Sequence, residues 1–223
     1  MNIKLLSGAM GLLAAILVGI GEYLLHYDPL ARFADGGFVF MQGISANQTT
    51  TGHFLGVFGA LLYPFGCYHL YLMLKSASPK WAFTGFIVSA LGFVIGAVWI
   101  SSRASISALM QLPITPEISQ LIGLYELRYE TLLQVVRITT LFLSIVFVLL
   151  ILNGKSSYPK WMAIFNPILL IIASFITYLV VPQIGKHIMP IALNVAFFIV
   201  FALSLFVLLK QHLSYKPNAE SSL

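Results

Sequence analysis

Apolar residues occur along the chain in six long runs that short polar segments separate. The runs cover approximately residues 3–25, 53–75, 81–103, 132–152, 161–181 and 190–210. Each run is close to the ~20 residues that an α-helix needs to cross a bilayer, and no segment has the pattern of a soluble β-structure. The sequence therefore predicts an all-α polytopic membrane protein with about six transmembrane helices.

The fourth apolar run belongs to a helix that is predicted to be much longer than the bilayer is thick, from Pro116 to Leu152. It begins with Thr115-Pro116-Glu117, which supplies a hydroxyl N-cap, a proline at the first helical position and an acid near the positive helix end. Asn153-Gly154 marks its end. At 1.5 Å per residue this helix is about 55 Å long, so its first half is predicted to protrude from the membrane.

The protruding half of this helix carries a polar stripe. At 100° per residue, Glu126, Glu130, Arg137 and Ser144 fall within about 40° of one another. An acid–acid–base sequence therefore follows one helix face from outside the membrane down to its edge.

Composition agrees with a membrane protein. The chain has 223 residues, of which 59% are hydrophobic and 9% are charged, with a mean hydropathy of +0.94; soluble domains have about 25% charged residues. We expect one transmembrane helical domain over residues 1–213 and a short polar tail over 214–223. The single cysteine, Cys67, excludes an intrachain disulfide.

The net charge of +5 does not indicate nucleic-acid binding, because the basic residues are scattered at the ends of apolar runs, where lipid headgroups select them. Seven lysines lie on the side that both predicted termini share: Lys4, Lys75, Lys80, Lys155, Lys160, Lys210 and Lys216. The positive-inside rule therefore predicts that both termini are cytoplasmic. All arginines and nearly all acids fall on the other, extracytoplasmic side.

Glu22, near the end of the first span, is the centre of the predicted functional site. Ionised groups within a membrane are costly and usually face the protein interior. Gly11 and Ala15 share the face of Glu22, and His26 follows four residues later; small residues let helices approach closely, so this face should pack inward. The second span has a small-residue face with Tyr63 beside it and His53 at its outer end.

We therefore expect Glu22, His26 and His53 to converge with the acidic stripe near the outer boundary, with Glu22 one water-mediated contact from Glu126 or Glu130. Three kinds of chemistry fit these residue types. Glu22, His26, Glu126 and Glu130 could act as catalytic acids and bases. Arg103, Arg137 and Tyr63 could bind a substrate that carries an anionic group. His26, His53 and Glu22 could hold a divalent metal as cofactor.

Each group also has a structural interpretation. Glu22 and His26 could form a helix-end hydrogen bond, the stripe could be a salt-bridge network, and Arg103 could extend to the headgroups. His69 is expected at the cytoplasmic interface. Asn166-Pro167 suggests a kink in the fifth span, and Asn194 is expected to hydrogen-bond another helix.

Three functions remain open, because the sequence contains no P-loop, Rossmann, GxSxG or HExxH motif. The first is an enzyme that acts on a lipid or another amphipathic substrate at the outer leaflet. The second is a non-catalytic subunit for binding, sensing or assembly, and the third is a proton-coupled transporter. The transporter should have polar residues through the full membrane depth, and few occur in the inner half. The expected partners are the lipid bilayer and a lipid or amphipathic small molecule; the sequence does not define the oligomeric state.

Overall fold

The computed structural model describes residues 2–32 and 37–214, and this part of the chain is helical without a β-strand. Its α-helices are α1 (Ile3–His26), α2 (Ala46–Ala60), α3 (Tyr63–Leu74), α4 (Pro79–Leu109), α5 (Pro116–Leu152), α6 (Pro167–Val180), α7 (Pro182–Ile188) and α8 (Ala192–Ser214). Short 3-10 helices cover Val39–Gly43, Lys160–Phe165 and Met189–Ile191. The predicted all-α polytopic fold is confirmed. Of the tail predicted over 214–223, residues 215–223 lie outside the described part of the chain.

Five helical segments of the described residues are long and apolar enough to cross a membrane: Ile3–His26, Ala46–Leu74, Pro79–Leu109, Pro116–Leu152 and Pro182–Leu213. The second of these contains both α2 and α3, which meet just before Pro64. The last contains α7, a 3-10 turn and α8. The protein is therefore a multi-pass membrane protein.

The predicted fifth span differs from a continuous transmembrane helix. Its first part is the 3-10 helix Lys160–Phe165, and α6 then begins at Pro167 and has 14 residues. Asn166 separates the two, because its Oδ1 accepts from the Leu169 N–H at 3.1 Å while its Nδ2 donates to the Ala163 carbonyl at 2.9 Å. The expected kink at Asn166-Pro167 is thus a complete helix break.

The long helix predicted from Pro116 to Leu152 is confirmed with the same bounds as α5. Its N-cap also forms as expected, since the Thr115 side chain accepts from the Ile118 N–H at 3.3 Å. Helix α4 packs along α5 and continues past the third apolar run to Leu109.

Helix α1 packs against α2, α3 and α8. Close approach depends on glycine: a Cβ atom on Gly21 would lie 2.6 Å from the Gly52 carbonyl oxygen and from the Gly56 nitrogen. A Cβ on Gly11 would lie 2.7 Å from the Gly66 Cα. Glycines on both sides of each contact remove the atoms that would otherwise separate the helices. The small-residue face of α1 therefore packs inward, as predicted.

The two ends of the described chain meet at one end of the bundle, since the Asn2 amide and the His212 imidazole lie 2.9 Å apart in a hydrogen bond. We call this the terminal end and the opposite one the distal end. At the terminal end the Ser157 N–H also donates to the Met73 carbonyl at 2.9 Å. The termini therefore share one side, while its assignment to the cytoplasm remains a prediction.

A loop covers part of the distal end. Its Phe38, Phe40, Met41 and Ile44 form an apolar cluster with Trp99, Ile106, Met110 and Tyr129 of α4, its C-cap and α5. Gln111 Nε2 fastens the loop by donating to the Met41 carbonyl at 3.0 Å. We call residues 37–44 the distal cap.

The connection from α1 to the distal cap has its own ion pair. Asp28 is buried, and its carboxylate accepts from Arg32 Nε at 2.8 Å and from the Arg32 backbone N–H at 2.9 Å. These hydrogen bonds from Arg32 lower the pKa of the Asp28 carboxyl below its ordinary value. The carboxylate thereby orders the turn that follows α1.

Candidate functional site

A buried ion pair lies beneath the distal cap, between α1 and α4. Arg103 Nη2 is 2.9 Å from Glu22 Oε1, and the two residues are 1% and 4% exposed. The other Glu22 oxygen, Oε2, accepts from Asn194 Nδ2 of α8. Buried charges are stable only when they are paired and hydrogen-bonded, and Glu22 meets both conditions.

Two tyrosines extend this network. The Tyr63 hydroxyl of α3 donates to Asn194 Oδ1 at 2.7 Å, which fixes the amide so that its Nδ2 points to Glu22. The Tyr129 hydroxyl of α5 accepts from Arg103 Nη2 at 3.1 Å. Side chains from α1, α3, α4, α5 and α8 therefore meet at one polar centre inside an otherwise apolar bundle.

The Arg103 guanidinium is held between aromatic rings but is not fully hydrogen-bonded. Its Cζ lies 4.1 Å from the centroid of the Trp99 ring and 5.6 Å from that of Tyr129, within the range of cation–π attraction. Its Nε and Nη1 have no hydrogen-bond partner in the described structure, and the same is true of Trp99 Nε1. Since buried polar atoms are rarely left unpaired, these three donors require an explanation.

A cavity of about 430 Å³ adjoins the network. Its polar wall contains Glu22, His26, Trp99, Arg103 and Tyr129, and its apolar wall contains Leu133, Val136, Ile168, Ile171, Met189, Pro190, Ala192 and Leu193, with Thr140 and Arg137 also lining it. Arg137 exposes 57% of its side chain, so it lies at the mouth, whereas Arg103 lies at the floor. Such a cavity can hold a molecule with a polar head and an apolar body.

The distal cap explains why Arg103 is buried. Helix α4 continues past Arg103 to Leu109, and Phe38 of the distal cap packs edge-on against Tyr129 with ring centroids 5.2 Å apart. Arg103 is thereby enclosed on the side from which water would otherwise reach it, and the interpretation as an exposed interfacial residue is wrong.

The structure brings together Glu22, His26, Arg103 and Arg137 around one cavity, but the two acids of the polar stripe, Glu126 and Glu130, do not line it. Glu130 is exposed and its Oε2 lies 3.9 Å from Arg137 Nη1, so the expected salt-bridge network of Glu126, Glu130 and Arg137 is present only as one loose surface pair. Glu126 forms no ion pair within the described residues and does not line the cavity. The α5 residue that reaches the Glu22 network is Tyr129, so the predicted contact of Glu22 with Glu126 or Glu130 is replaced by the contact with Arg103.

The three predicted metal ligands do not form a site. The His26 ring stacks on Phe40 of the distal cap at 4.5 Å, and the His53 ring is edge-on to Phe54 at 5.1 Å. Within residues 2–32 and 37–214, no three His, Cys, Asp or Glu side chains are grouped so that they could hold an ion. Glu22, His26 and His53 therefore do not have the geometry that would hold a divalent metal.

The position of Tyr63 does not fit the predicted role of a substrate-binding residue. It is 1% exposed, stacks on Phe93 with centroids 3.9 Å apart, and reaches the site through Asn194. Asn194 joins α8 to α1 and α3, which confirms that it hydrogen-bonds other helices. Sequence reasoning missed Trp99 and Tyr129; the spacing of four residues between Trp99 and Arg103 was the available signal, because it places the ring and the cation on one helix face.

Comparison with known proteins identifies the family of this chain. The model of a family of unknown function, DUF6796, matches residues 1–211, and the chain belongs to this family. No curated protein and no solved structure matches the chain.

Proposed function

We propose that this membrane protein binds an amphipathic, lipid-like small molecule in the distal cavity. The headgroup lies against Arg103, and the apolar body lies against the walls that α5 and α6 contribute. The observation that carries this proposal is the pair of unpartnered donors, Nε and Nη1, on an arginine that is 1% exposed and lines the cavity. A ligand that supplies acceptors would complete these hydrogen bonds.

The size and surroundings of the cavity support a ligand from the lipid phase. Its volume of about 430 Å³ lies within the range of small-molecule sites. On α5 and α6, Ile138 and Ile172 next to the cavity lining are exposed large hydrophobic residues, which is the surface that a bilayer covers. An amphipathic molecule could therefore enter sideways with its tail still in hydrocarbon.

Catalysis on the bound molecule is a second candidate, and one observation favours it: the His26 imidazole lines the same cavity. General acid–base chemistry requires such a group within hydrogen-bond reach of the substrate. Glu22 fits this role less well, since Arg103 and Asn194 occupy its two oxygens. The enzyme hypothesis thus depends on His26, with Arg103 as the headgroup ligand and Glu22 as the residue that orients Arg103.

Proton-coupled transport has less support. Below the network, the rings of Tyr63, Phe93 and Phe197 pack together, with 4.8 Å between the centroids of the two phenylalanines. The polar residues at the terminal end, such as His69 and Ser204, lie beyond this aromatic layer. Beside this layer the buried polar groups are hydroxyls such as those of Ser89 and Thr140, and within the described residues no buried Asp, Glu, Lys or Arg side chain lies between the layer and the terminal end.

Native mass spectrometry of protein purified in mild detergent tests the proposal. Wild-type protein should retain a small molecule that Ile171→Trp abolishes, because the indole fills the cavity that Ile171 lines. The matched control is Ile172→Trp, the next residue on α6, which is 47% exposed and not part of the lining. Equal retention by wild type and both variants, or no retention together with no binding of added amphipathic molecules, would contradict the proposal. In a catalytic protein, His26→Gln should retain the molecule but leave it chemically unconverted.

A further inference from the structure

The unpartnered polar atoms of Arg103 and Trp99 are all donors. These atoms are Arg103 Nε, Arg103 Nη1 and Trp99 Nε1, and both residues line the distal cavity. Neither a guanidinium nor an indole N–H can accept a hydrogen bond. A headgroup that only donates, such as an ammonium, would leave these three atoms unpaired, so they favour a headgroup that accepts.

The charges around the cavity restrict the chemical class of the headgroup further. Glu22 and Arg103 neutralise each other at the floor of the cavity, where Arg103 Nη2 lies 2.9 Å from Glu22 Oε1. Arg137 adds a positive charge at the mouth, and its 3.9 Å contact with Glu130 is too long for a strong hydrogen bond. The lining thus has one acid, Glu22, for two arginines. A bound anion would balance this excess of one positive charge.

We infer that the headgroup in the distal cavity is an oxyanion, a carboxylate or a phosphate, that accepts from Arg103 and Trp99 at the floor and is attracted by Arg137 at the mouth. This inference rests on the proposed binding function and names the chemical class of its ligand. The oxygens of an oxyanion accept several hydrogen bonds at once, and arginine binds them through its fixed fork of N–H groups. Asn194 and Tyr63 are positioning residues, because they act on the headgroup only through Glu22 and Arg103.

Three probes with the same twelve-carbon acyl or alkyl chain test the inference on full-length protein in nanodiscs of zwitterionic lipid. Dodecanoate and dodecyl phosphate are oxyanions, whereas methyl dodecanoate is an uncharged molecule that accepts without donating. Both anions should bind at least about tenfold more tightly than the methyl ester, because hydrogen bonds to charged groups are the stronger ones. The ratio between the two anions identifies whether a carboxylate or a phosphate fits better.

Three variants test the contributions of the two arginines, and the first of them leaves no uncompensated charge buried. Glu22→Gln/Arg103→Met removes both members of the pair, and we expect it to bind the anions no more tightly than the methyl ester, while its affinity for the ester stays within about threefold of that of wild type. Arg137→Gln should weaken anion binding by about threefold to tenfold at low salt and by less at high salt, since it is exposed. The exposed Arg128→Gln on α5, outside the cavity lining, is the matched control and should change neither affinity.

The outcomes separate this inference from the binding function. Equal affinities for the ester and the anions, or unchanged anion binding by the double variant, would overturn the inference while a cavity-dependent ligand remains. If Ile171→Trp leaves the binding of every probe unchanged, or if no probe binds, the proposed function fails and the inference fails with it.

Discussion

At the scale of single residues, Arg103 has the most demanding position in the molecule. A guanidinium that is 1% exposed within a membrane-spanning bundle is stable only because Glu22 supplies a counter-charge and Trp99 and Tyr129 supply aromatic faces. Burying an ion pair costs several kcal/mol per charge, and the attraction between the partners offsets this cost only in good geometry. The net contribution of the pair to stability is therefore small, although removing one partner alone is costly.

The first prediction is a double-mutant cycle on this pair. Arg103→Met alone leaves Glu22 buried without its cation and should destabilise the fold by about 3–5 kcal/mol. Adding Glu22→Gln to that variant should restore most of the loss, because no uncompensated charge remains. Equilibrium unfolding in mixed micelles measures each corner of the cycle.

The control for this cycle is Arg137→Met. Its contact with Glu130 is 3.9 Å long and both side chains are at least half exposed, so the change should be below about 1 kcal/mol. Additive effects of the two single substitutions at Glu22 and Arg103 would contradict the coupling that the structure implies.

At the scale of helices, the glycine contacts of α1 determine where Glu22 lies. The backbone of α1 touches that of α2 at Gly21, Gly52 and Gly56, which leaves no room for a methyl group. The contact draws the end of α1 into the bundle and holds the Glu22 side chain on the inner face. Because the site depends on this approach, it should be sensitive to a single added carbon atom.

The second prediction compares the same substitution at two helical glycines. Gly21→Ala should destabilise the protein by about 1–3 kcal/mol, because the new Cβ would meet backbone atoms of α2 at 2.6 Å. Gly123→Ala on α5 should instead stabilise it by up to about 1 kcal/mol, since no heavy atom lies within 4 Å and alanine favours the helix. Thermal unfolding of both variants beside wild type gives the direction of each change in stability. A change in the same direction at both positions would contradict the packing of α1 on α2.

The helices show how much of this site the sequence could predict. The inward face of α1 followed from the spacing of Gly11, Ala15 and Glu22, because helical periodicity and small residues are local properties. The inner face of α5 could not be predicted in this way. Tyr129 lies about 60° around the helix from Glu126 at 100° per residue, and no local pattern says which of the two faces α4 will cover.

The burial of Arg103 was also beyond local reasoning. Arg103 is enclosed because Phe38, more than sixty residues earlier, folds back over Tyr129. His69 is a similar case: it was expected at the interface but is fully buried, with its Nδ1 donating to the Lys4 carbonyl at 2.7 Å. Each outcome depends on a contact between distant segments, which hydropathy along the chain does not record.

At the scale of the whole molecule, polar groups concentrate in two separate networks. The distal one contains Glu22 and Arg103. The terminal one joins His69, Ser204 and Tyr158, with His69 Nε2 2.6 Å from Ser204 Oγ and the Tyr158 hydroxyl 2.6 Å from the same oxygen. The rings of Phe93, Phe197 and Phe201 pack between the two networks, which therefore lie at opposite ends of the bundle.

The third prediction concerns the orientation of these ends. In a Cys67→Ala background, Lys155→Cys at the terminal end and Gln183→Cys on α7 at the distal end place one thiol on each side, and both positions are exposed. The lysine distribution predicts that a membrane-impermeant maleimide labels Gln183→Cys but not Lys155→Cys in intact cells. The reverse labelling would show that the termini are outside.

The most direct test of the binding account is photo-crosslinking with a fatty acid that carries a diazirine in its tail, followed by mapping of the labelled α5 residues. We predict that labels fall on the cavity face at Leu133, Val136 and Thr140, and that excess dodecanoate removes them. Labels that are confined to the exposed face at Ile138, Leu141 and Ile145, unaffected by dodecanoate, would show that the molecule contacts the bundle only as bulk lipid and would contradict the account.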